Sequence, residues 1–364
     1  MNRRHILKFS FLIVCTIAGY SIQAQPAPEQ FAASRKPKNV ILMIGDGMGL
    51  TQIYAGLTAN KGWLHLEKFK CIGLSKTNSA NRYVTESAAG ATAIATGEKT
   101  YNGAIGVNAA GKPIPTKLEI AEGQGLTTGL VVTSPLTDAT PSAFTAHASK
   151  RSLEDDIALG YLTSGVDVFI GGGKEHFNKR KDGRDLIAEL RKEDYQVLYD
   201  IDQIASVKNG KLAGFLPADQ PWSVRGDQLV KSSQTAINIL SKNDKGFFLM
   251  IEGSGIDIGG HDNDIQYLVD DMMDFDRAIG EMLAFAEKDG ETLLIVTADH
   301  ETGGLTLTGG DLQTGELKAE FSTGGHTGVM VPVFAYGPGS EAFMGIYHNN
   351  TIFKKMIQAF GFNN

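Results

Sequence analysis

The sequence predicts an α/β fold in which a mostly parallel central sheet is sandwiched between helices in three layers. Short apolar runs alternate with longer segments of helical periodicity along most of the chain. Most of the apolar runs are nearly continuous rather than alternating with polar residues, as expected for strands that are buried on both faces. Acidic residues follow several of these runs directly, and ligands of open α/β sheets bind beyond the carboxyl ends of the strands.

Each element is predicted from its own pattern. Six apolar runs are predicted to be strands: Asn39 to Gly45, Thr128 to Thr133, Val166 to Ile170, Phe247 to Ile251, Thr292 to Thr297 and Val331 to Tyr336. Seven segments are predicted to be helices: Met48 to Asn60, Ser87 to Thr96, Pro141 to Ser149, Asp185 to Arg191, Gln228 to Ser241, Ile265 to Glu287 and Thr351 to Phe360. The stretch from Tyr195 to Val224 has no clear period and is expected to be an irregular excursion over the surface.

The N-terminus has the pattern of a targeting segment. Basic residues precede an apolar stretch from Phe9 to Ala18, and Ile22-Gln23-Ala24 matches the pattern of a cleavage site. We therefore expect a signal peptide over 1–24, a linker over 25–37 and a single domain over 38–364. The apolar stretch is short for a membrane-spanning helix. Lipid attachment at Cys15 is the weaker alternative, because the preceding Val14 is bulky.

The composition narrows the class of protein. Among 364 residues, 42% are hydrophobic and 21% are charged, which is typical of a globular enzyme. The net charge of -7 argues against nucleic acid or an anionic membrane as a partner. After removal of the signal peptide only Cys71 remains, so no intrachain disulfide can form. Its apolar neighbours indicate a small buried side chain rather than a nucleophile.

Four glycine-flanked segments carry potential metal ligands. They are IGDGMG (44–49), EGSGIDIGGH (252–261), TADHETGG (297–304) and GGHTG (324–328). Strand ends bring four acids towards one edge of the sheet: Asp46, Asp138, Glu252 and Asp299. Because crowded carboxylates repel one another unless cations neutralise them, this placement predicts bound metal.

The ligand types indicate two kinds of ion. Asp257 and His261 are four residues apart, His300 follows Asp299 directly, and glycines flank His326. Mixed carboxylate and imidazole ligands favour zinc. The oxygen ligands of Asp138, Thr140 and Glu252 favour magnesium. Any one of these residues alone could be a turn residue or a helix cap, but the agreement of all the segments favours a metal site.

Ser87 lies in the segment YVTESAAGATAIATG (83–97), at the predicted start of a helix. Backbone N–H groups and the helix dipole favour an anion at this position. The alternative is an ordinary N-cap serine. The segment lacks G-x-S-x-G, so a nucleophile elbow is not supported. A nucleophilic serine needs a base or a metal to activate it, and metal ligands are abundant here.

Arg151 ends the segment TDATPSAFTAHASKR (137–151). Pro141 suits the first turn of a helix, and Arg151 is expected to close that helix. Its planar guanidinium could bind two oxygens of a phosphate. A favourable charge at a helix C-terminus is the alternative, and this segment does not decide between the two.

Taken together, these segments resemble the alkaline phosphatase family of the bacterial periplasmic type. VTESAAGATA with TYNGAIGV, DATP with a downstream arginine, EGSGID-x3-H, TADHETGG and GGHTG occur in the family's order, from about Asn39 to Gly339. The resemblance implies the three-layer alkaline phosphatase fold, export across the inner membrane to the periplasm and metal-dependent hydrolysis of small phosphate monoesters. It also implies broad specificity and a phosphoserine intermediate, with release of inorganic phosphate.

The resemblance also implies a role for each site residue. Ser87 is the nucleophile, and Arg151 binds the non-bridging phosphate oxygens. One zinc ion takes Asp257, His261 and His326. A second takes Asp46, Asp299 and His300 and contacts Ser87. Magnesium takes Asp138, Thr140 and Glu252, with Asp46 between it and the second zinc ion.

Two positions depart from the family's pattern. Glu86 stands where aspartate usually precedes the serine, and Ile258 stands where some members carry lysine or histidine. The longer Glu86 is expected to alter how Arg151 is held, and Ile258 to weaken phosphate binding. The resemblance is compatible with a homodimer.

Two other functions are alternatives to a phosphomonoesterase. The first is a phosphodiesterase or sulfo-ester hydrolase on the same scaffold, although the chain has no C-x-P-x-R segment. The second is a non-catalytic metal- or phosphate-binding protein, which would not need Ser87.

Overall fold

A computed structural model describes residues 36–362, and its strands follow in chain order. They are β1 (Asn39–Gly45), β2 (Cys71–Lys76), β3 (Thr127–Pro135), β4 (Val168–Gly172), β5 (Gln196–Leu198), β6 (Leu212–Phe215), β7 (Phe247–Gly253), β8 (Thr292–Thr297), β9 (Glu301–Thr302), β10 (Leu305–Gly310), β11 (Leu317–Phe321), β12 (His326–Thr327), β13 (Val331–Tyr336) and β14 (Gly345–His348).

The helices follow the same order in the chain. They are α1 (Leu50–Ala59), α2 (Ser87–Thr96), α3 (Lys117–Gly123), α4 (Ala139–Thr145), α5 (Glu154–Thr163), α6 (Glu175–Asn178), α7 (Leu186–Lys192), α8 (Ile201–Ser206), α9 (Trp222–Arg225), α10 (Gln228–Leu240), α11 (Gly255–His261), α12 (Ile265–Asp289) and α13 (Asn350–Phe360). Short 3-10 helices span His65–Lys68 and Ser340–Phe343.

Ten of the strands form one sheet, in the order β14-β2-β13-β8-β1-β7-β3-β4-β6-β5. Within this sheet β13 runs antiparallel to both of its neighbours, and the other pairs are parallel. The mostly parallel sheet of the prediction is therefore confirmed. The hairpins β10–β11 and β9–β12 stand apart from it as small two-stranded sheets.

Side chains of β1 alternate between two hydrophobic clusters. Ile41 and Met43 pack with α10 and α12, whereas Leu42 and Ile44 pack with the cluster that includes α2 and α4. All four side chains are fully buried. This alternation explains why the strand reads as an unbroken apolar run, because both faces of the sheet are covered by helices.

The adjoining central strands end together and set the position of the site. Ile44 of β1 pairs with Glu252 of β7 on one side and with Thr297 of β8 on the other. Val132 of β3 also pairs with Glu252. The chain segments that leave these strands therefore start from one edge of the sheet, as parallel connections require.

The region from Tyr195 to Val224 corrects one prediction. It is not an irregular excursion, since it contains β5, β6, α8 and part of α9. The two strands extend the main sheet at its edge. They are only three and four residues long, which is too short for a clear two-residue period.

Helix α4 is shorter than predicted. It ends at Thr145, because Ala146 has an extended backbone and Ala148 forms an isolated bridge with Ile105. Helix α5 was missed, since its acidic first turn and Gly160 weaken the apolar pattern. Arg151 consequently lies in the turn between these two helices and does not close a helix.

The predicted signal peptide, and the linker up to residue 35, lie outside the described residues. Between residues 36 and 362, no helix has the length and apolar character that crossing a membrane requires. Cys71 is buried in the sheet, with its Sγ 3.5 Å from Ser340 Oγ, in keeping with a structural role.

Candidate active site

The loop after β1 places Asp46 at the carboxyl edge of the sheet. Gly47 follows with a φ of +71°, a conformation that favours glycine. A Cβ at Gly47 would lie 2.9 Å from both the Asp257 Cα and the Thr302 Oγ1. The glycine therefore lets the Asp46 loop approach the segments that carry Asp257 and His300.

The first of two ligand groups, which we call the His300 group, comprises Asp46, Asp299 and His300. The Nε2 of His300 lies 3.2 Å from Asp46 Oδ1 and 3.2 Å from Asp299 Oδ2. The same nitrogen lies 3.2 Å from Ser87 Oγ. All four side chains are buried. The N-terminus of α2 and the ends of β1 and β8 thus bring the predicted nucleophile against the predicted ligands of the second zinc ion.

The second group, which we call the Asp257 group, comprises Asp257, His261 and His326. Asp257 and His261 lie on α11, and His326 lies on β12. The two imidazole Nε2 atoms are 3.1 Å apart. Asp257 Oδ2 lies 3.4 Å from His261 Nε2, and its Oδ1 lies 3.7 Å from His326 Nε2.

Hydrogen bonds fix the tautomer of both histidines in the Asp257 group. His261 Nδ1 lies 2.8 Å from the Gly324 carbonyl, and His326 Nδ1 lies 3.0 Å from the Thr85 carbonyl. Because a carbonyl can only accept, each Nδ1 carries a proton, and in the neutral ring each Nε2 then has a free lone pair. Two lone pairs that face each other beside a carboxylate are the arrangement expected of metal ligands.

The two groups adjoin one another. Asp257, His300 and His326 offer ligand atoms within 4.8 Å of one another, as do Asp46, Asp299 and His300. The His300 and His326 rings stack with their centroids 3.7 Å apart. The predicted ligands of the two zinc ions therefore form one continuous cluster.

Burial and mutual repulsion raise the pKa values of the buried acids in this cluster. Burial and the charge of Asp299 raise the pKa of Asp46 well above its usual value. Burial and the charge of Asp257 raise the pKa of Asp299 to about 7. Burial and the neighbouring His326 hold the pKa of His300 well below its usual value, so this imidazole is neutral. A divalent cation would reverse these effects on the carboxylates.

Glu252 and Thr140 lie on the magnesium side of the predicted site. Glu252 Oε2 accepts a hydrogen bond of 3.0 Å from Ser134 Oγ. Burial and the charge of Asp138 raise the pKa of Glu252 well above its usual value. Among the described residues, Glu252 Oε1 and Thr140 Oγ1 have no hydrogen-bond partner.

Buried oxygens without a hydrogen-bond partner indicate whether these residues suit metal ions. Asp46 Oδ1, Asp299 Oδ2, Glu252 Oε1 and Thr140 Oγ1 are all buried and all without a hydrogen-bond partner within residues 36–362. Buried polar atoms without partners are rare and costly. Hard oxygen atoms of this kind beside neutral imidazoles suit zinc and magnesium, so the residues fit the predicted ions.

Glu86 organises the start of α2 and holds Arg151. It is the N-cap residue, and its carboxylate accepts from the N–H groups of Ala88 (3.0 Å) and Ala89 (2.8 Å). It also accepts from the Gly103 N–H at 2.8 Å. Ser87 is the first residue of the helix, so the alternative of an N-cap serine is wrong.

Two carboxylates orient the guanidinium of Arg151. Its Nη1 lies 3.0 Å from Glu86 Oε2, and its Nη2 lies 2.7 Å from Asp138 Oδ1. Burial lowers the pKa of Arg151, but the charges of Asp138 and Glu86 outweigh burial and raise it. Because Arg151 lies outside any helix, the alternative of a helix-terminal charge is also wrong. One oxygen of Asp138, a predicted magnesium ligand, is thereby committed to Arg151.

Sequence reasoning missed residues that support the ligands. Ser134 binds Glu252, and Thr302 contacts both Asp257 and His300. Glu301 accepts from Gln52 Nε2 at 2.6 Å and from the hydroxyl of Thr327. The one sequence feature that could have identified Glu301 and Thr302 is their position directly after His300 in TADHETGG.

Comparisons with known proteins point to one family. The sequence model of the family described as Alkaline phosphatase matches residues 37–320. Alkaline phosphatase 3 of Bacillus subtilis is 34% identical, with 96% of each chain covered. The solved structure of alkaline phosphatase from the Antarctic bacterium TAB5 is 45% identical with a TM-score of 0.84, and covers 91% of this chain and 100% of its own. A mutant of the TAB5 enzyme with Mg bound in its M3 site is 47% identical, with the same TM-score and coverage.

Proposed function

Because the chain belongs to the alkaline phosphatase family and hydrolyses phosphate monoesters, we propose that it acts through a phosphoserine intermediate on Ser87. The family is metal-dependent, and the proposed site holds two zinc ions and one magnesium ion. The observation that carries the proposal is the contact of Ser87 Oγ with His300 Nε2 at 3.2 Å, inside the cluster of unpaired carboxylate oxygens.

The proposed ligand sets are those that the family resemblance implies. The Asp257 group would hold one zinc ion, and the His300 group would hold the other beside Ser87. Thr140, Glu252 and Asp138 would hold magnesium, with Asp46 between the two sites. When bound, these ions supply Lewis-acid stabilisation of the attacking and leaving oxygens and lower the pKa of the serine and of water.

The chain's own side chains orient the reaction. Ser87 Oγ attacks phosphorus from the N-terminus of α2, where the helix dipole favours the negative phosphate. The phosphorus–alcohol oxygen bond breaks, and the alcohol leaves on the side of the Asp257 group. Water then attacks the phosphoserine and releases inorganic phosphate with Ser87 restored. His261 is exposed, so the leaving-group side opens to solvent and supports broad specificity.

Arg151 is proposed to bind two non-bridging oxygens of the phosphoryl group. Glu86 and Asp138 hold two of its nitrogens, so the guanidinium needs little ordering when substrate arrives. A preorganised cation stabilises the charge on the equatorial oxygens in the transition state. A monoester has more charge on these oxygens than a diester, so Arg151 favours monoesters.

Rates on nitrophenyl phosphate monoesters and diesters test this function. We expect the wild type to cleave the monoester faster. In Arg151→Ala, kcat/KM for the monoester should fall by about 100-fold, as for loss of one transition-state contact. The kcat/KM for the diester should fall by less than about tenfold, because the diester oxygens that Arg151 contacts carry less negative charge.

Arg191→Ala is the matched control, because Arg191 is exposed on α7 and its guanidinium bonds to Tyr199. This variant should keep the wild-type ratio of the two rates. Faster cleavage of the diester by the wild type would favour the phosphodiesterase alternative. An unchanged ratio in Arg151→Ala would refute the role of Arg151.

We also propose that the chain is exported to the periplasm, that residues 38–364 form one catalytic domain and that two copies form a homodimer. Two surface pockets meet at Val329 and Met330, and they extend to Leu50 and Tyr83. All four of these apolar side chains are exposed, and grouped exposed apolar side chains are a feature that partners often cover. Sedimentation of the purified protein should give the mass of two chains, and the mass of one chain would refute the dimer.

A further inference from the structure

Thr302 contacts ligands of both proposed zinc sites. It lies in β9, two residues after His300, and is fully buried. Its hydroxyl donates a hydrogen bond to Asp257 Oδ1. The same oxygen lies 3.2 Å from His300 Nδ1. Thr302 therefore bridges the Asp257 group and the His300 group through a single atom.

The chemistry of a hydroxyl fixes the direction of both bonds. A threonine hydroxyl has one hydrogen, and the carboxylate of Asp257 can only accept it. The bond to His300 must then run the other way, from Nδ1–H to the hydroxyl oxygen. In a neutral imidazole this leaves His300 Nε2 without a proton, and this nitrogen is the one that faces Ser87, Asp46 and Asp299.

The backbone holds this hydroxyl in place. The Thr302 N–H donates to the Gly47 carbonyl at 3.2 Å, and the Thr302 carbonyl accepts from Gln52 Nε2 at 2.8 Å. Thr302 also pairs with His326 across the β9–β12 ladder. A Cβ at Gly260 would lie 3.0 Å from the Thr302 side chain, so the side chain has little room to move.

We propose that Thr302 is a positioning residue that sets the tautomer of His300 and the orientation of Asp257, and thereby couples the two zinc positions. The inference rests on the proposed function, because it concerns the metal ions of that site. Hydrogen bonds to the atoms of a ligand side chain that do not contact the metal orient the ligand and tune its basicity. A single hydroxyl that serves ligands of two sites makes the affinity of each site depend on the other.

Zinc affinity of the full chain tests this role, measured by competition with a chromophoric chelator after removal of bound metal. Thr302→Val keeps the shape of the side chain and removes the hydroxyl. We expect both zinc affinities to fall by about 10–100-fold in this variant. Thr302→Ser keeps the hydroxyl and should restore affinities to within about threefold of the wild type, well inside that range.

Thr308→Val is the control, since Thr308 is exposed on β10 and its hydroxyl donates only a 3.4 Å bond to the Lys318 carbonyl. It should bind zinc as the wild type does. Wild-type affinities at both sites in Thr302→Val would overturn the inference, as would a loss confined to one site. A wild type that binds no zinc would instead overturn the proposed function itself.

A measurement on the wild type keeps the inference testable if Thr302→Val does not fold. Nitrogen-15 spectra of the histidines in the metal-free protein report which ring nitrogen carries the proton, with His300→Asn used for assignment. We expect the Nδ1–H tautomer for His300. A proton on Nε2 would contradict the proposed bond to Thr302.

Discussion

Ser87→Ala is expected to lower kcat for phosphate monoesters by roughly 10⁴-fold, with zinc binding retained. The hydroxyl is the proposed attacking group, and no other serine lies within hydrogen-bond distance of His300 among the described residues. Asp46, Asp299 and His300 remain in the variant, so the metal cluster keeps its side-chain ligands. The measurement pairs steady-state kinetics with metal analysis of the same preparation.

Ser233→Ala is the matched control for this variant. Ser233 is also a fully buried serine in a helix, but it lies in α10, outside the site. It should retain activity close to that of the wild type. Full activity of Ser87→Ala would contradict the nucleophile assignment, whereas loss of activity together with loss of zinc would assign Ser87 a structural role.

Removal of metal is expected to abolish activity and to lower stability. Asp46, Asp299 and Glu252 are buried with raised pKa values, because burial and mutual repulsion disfavour their charged forms. Bound cations offset this repulsion, and ligands that bind only the folded state stabilise it. Treatment with EDTA should therefore reduce the rate to background and lower the melting temperature by several degrees, about the shift expected for the loss of one or two kcal/mol.

Adding different metals to the metal-free protein distinguishes the proposed zinc sites from the proposed magnesium site. Zinc together with magnesium should restore full activity to the metal-free protein, and magnesium alone should not. Undiminished activity after exhaustive chelation, verified by metal analysis, would refute metal dependence. Full recovery with magnesium alone would refute the assignment of zinc to the histidine-containing groups.

The sequence predicted the parts of the site that depend on local pattern. Asp46, Glu252 and Asp299 follow or end apolar strands, so parallel strand order brings them to one edge. The spacing of Asp257 and His261 matches one turn of helix, and α11 provides that turn. The start of α2 at Ser87 agrees with the small residues that follow it.

Contacts between distant segments could not be predicted in this way. Arg151 pairs with Glu86, 65 residues away, and no periodicity links the two. The sequence pattern predicted that Arg151 closes a helix. In the structure the helix ends earlier, because the backbone of Ala146 is extended, and that conformation depends on tertiary packing. The short strands β5 and β6 are likewise defined by their neighbours in the sheet. The proposed role of Thr302 depends on its contacts with both Asp257 and His300, which come together only in the folded chain.

Trapping of the intermediate tests the central claim most directly. The wild type would be incubated with inorganic phosphate or a phosphate monoester, quenched in acid, digested and analysed by mass spectrometry. We expect one phosphate on the peptide that contains Ser87, located at Ser87, and none in Ser87→Ala. An active wild type that carries phosphate at another residue, or carries none under single-turnover conditions that would accumulate it, would contradict the phosphoserine mechanism.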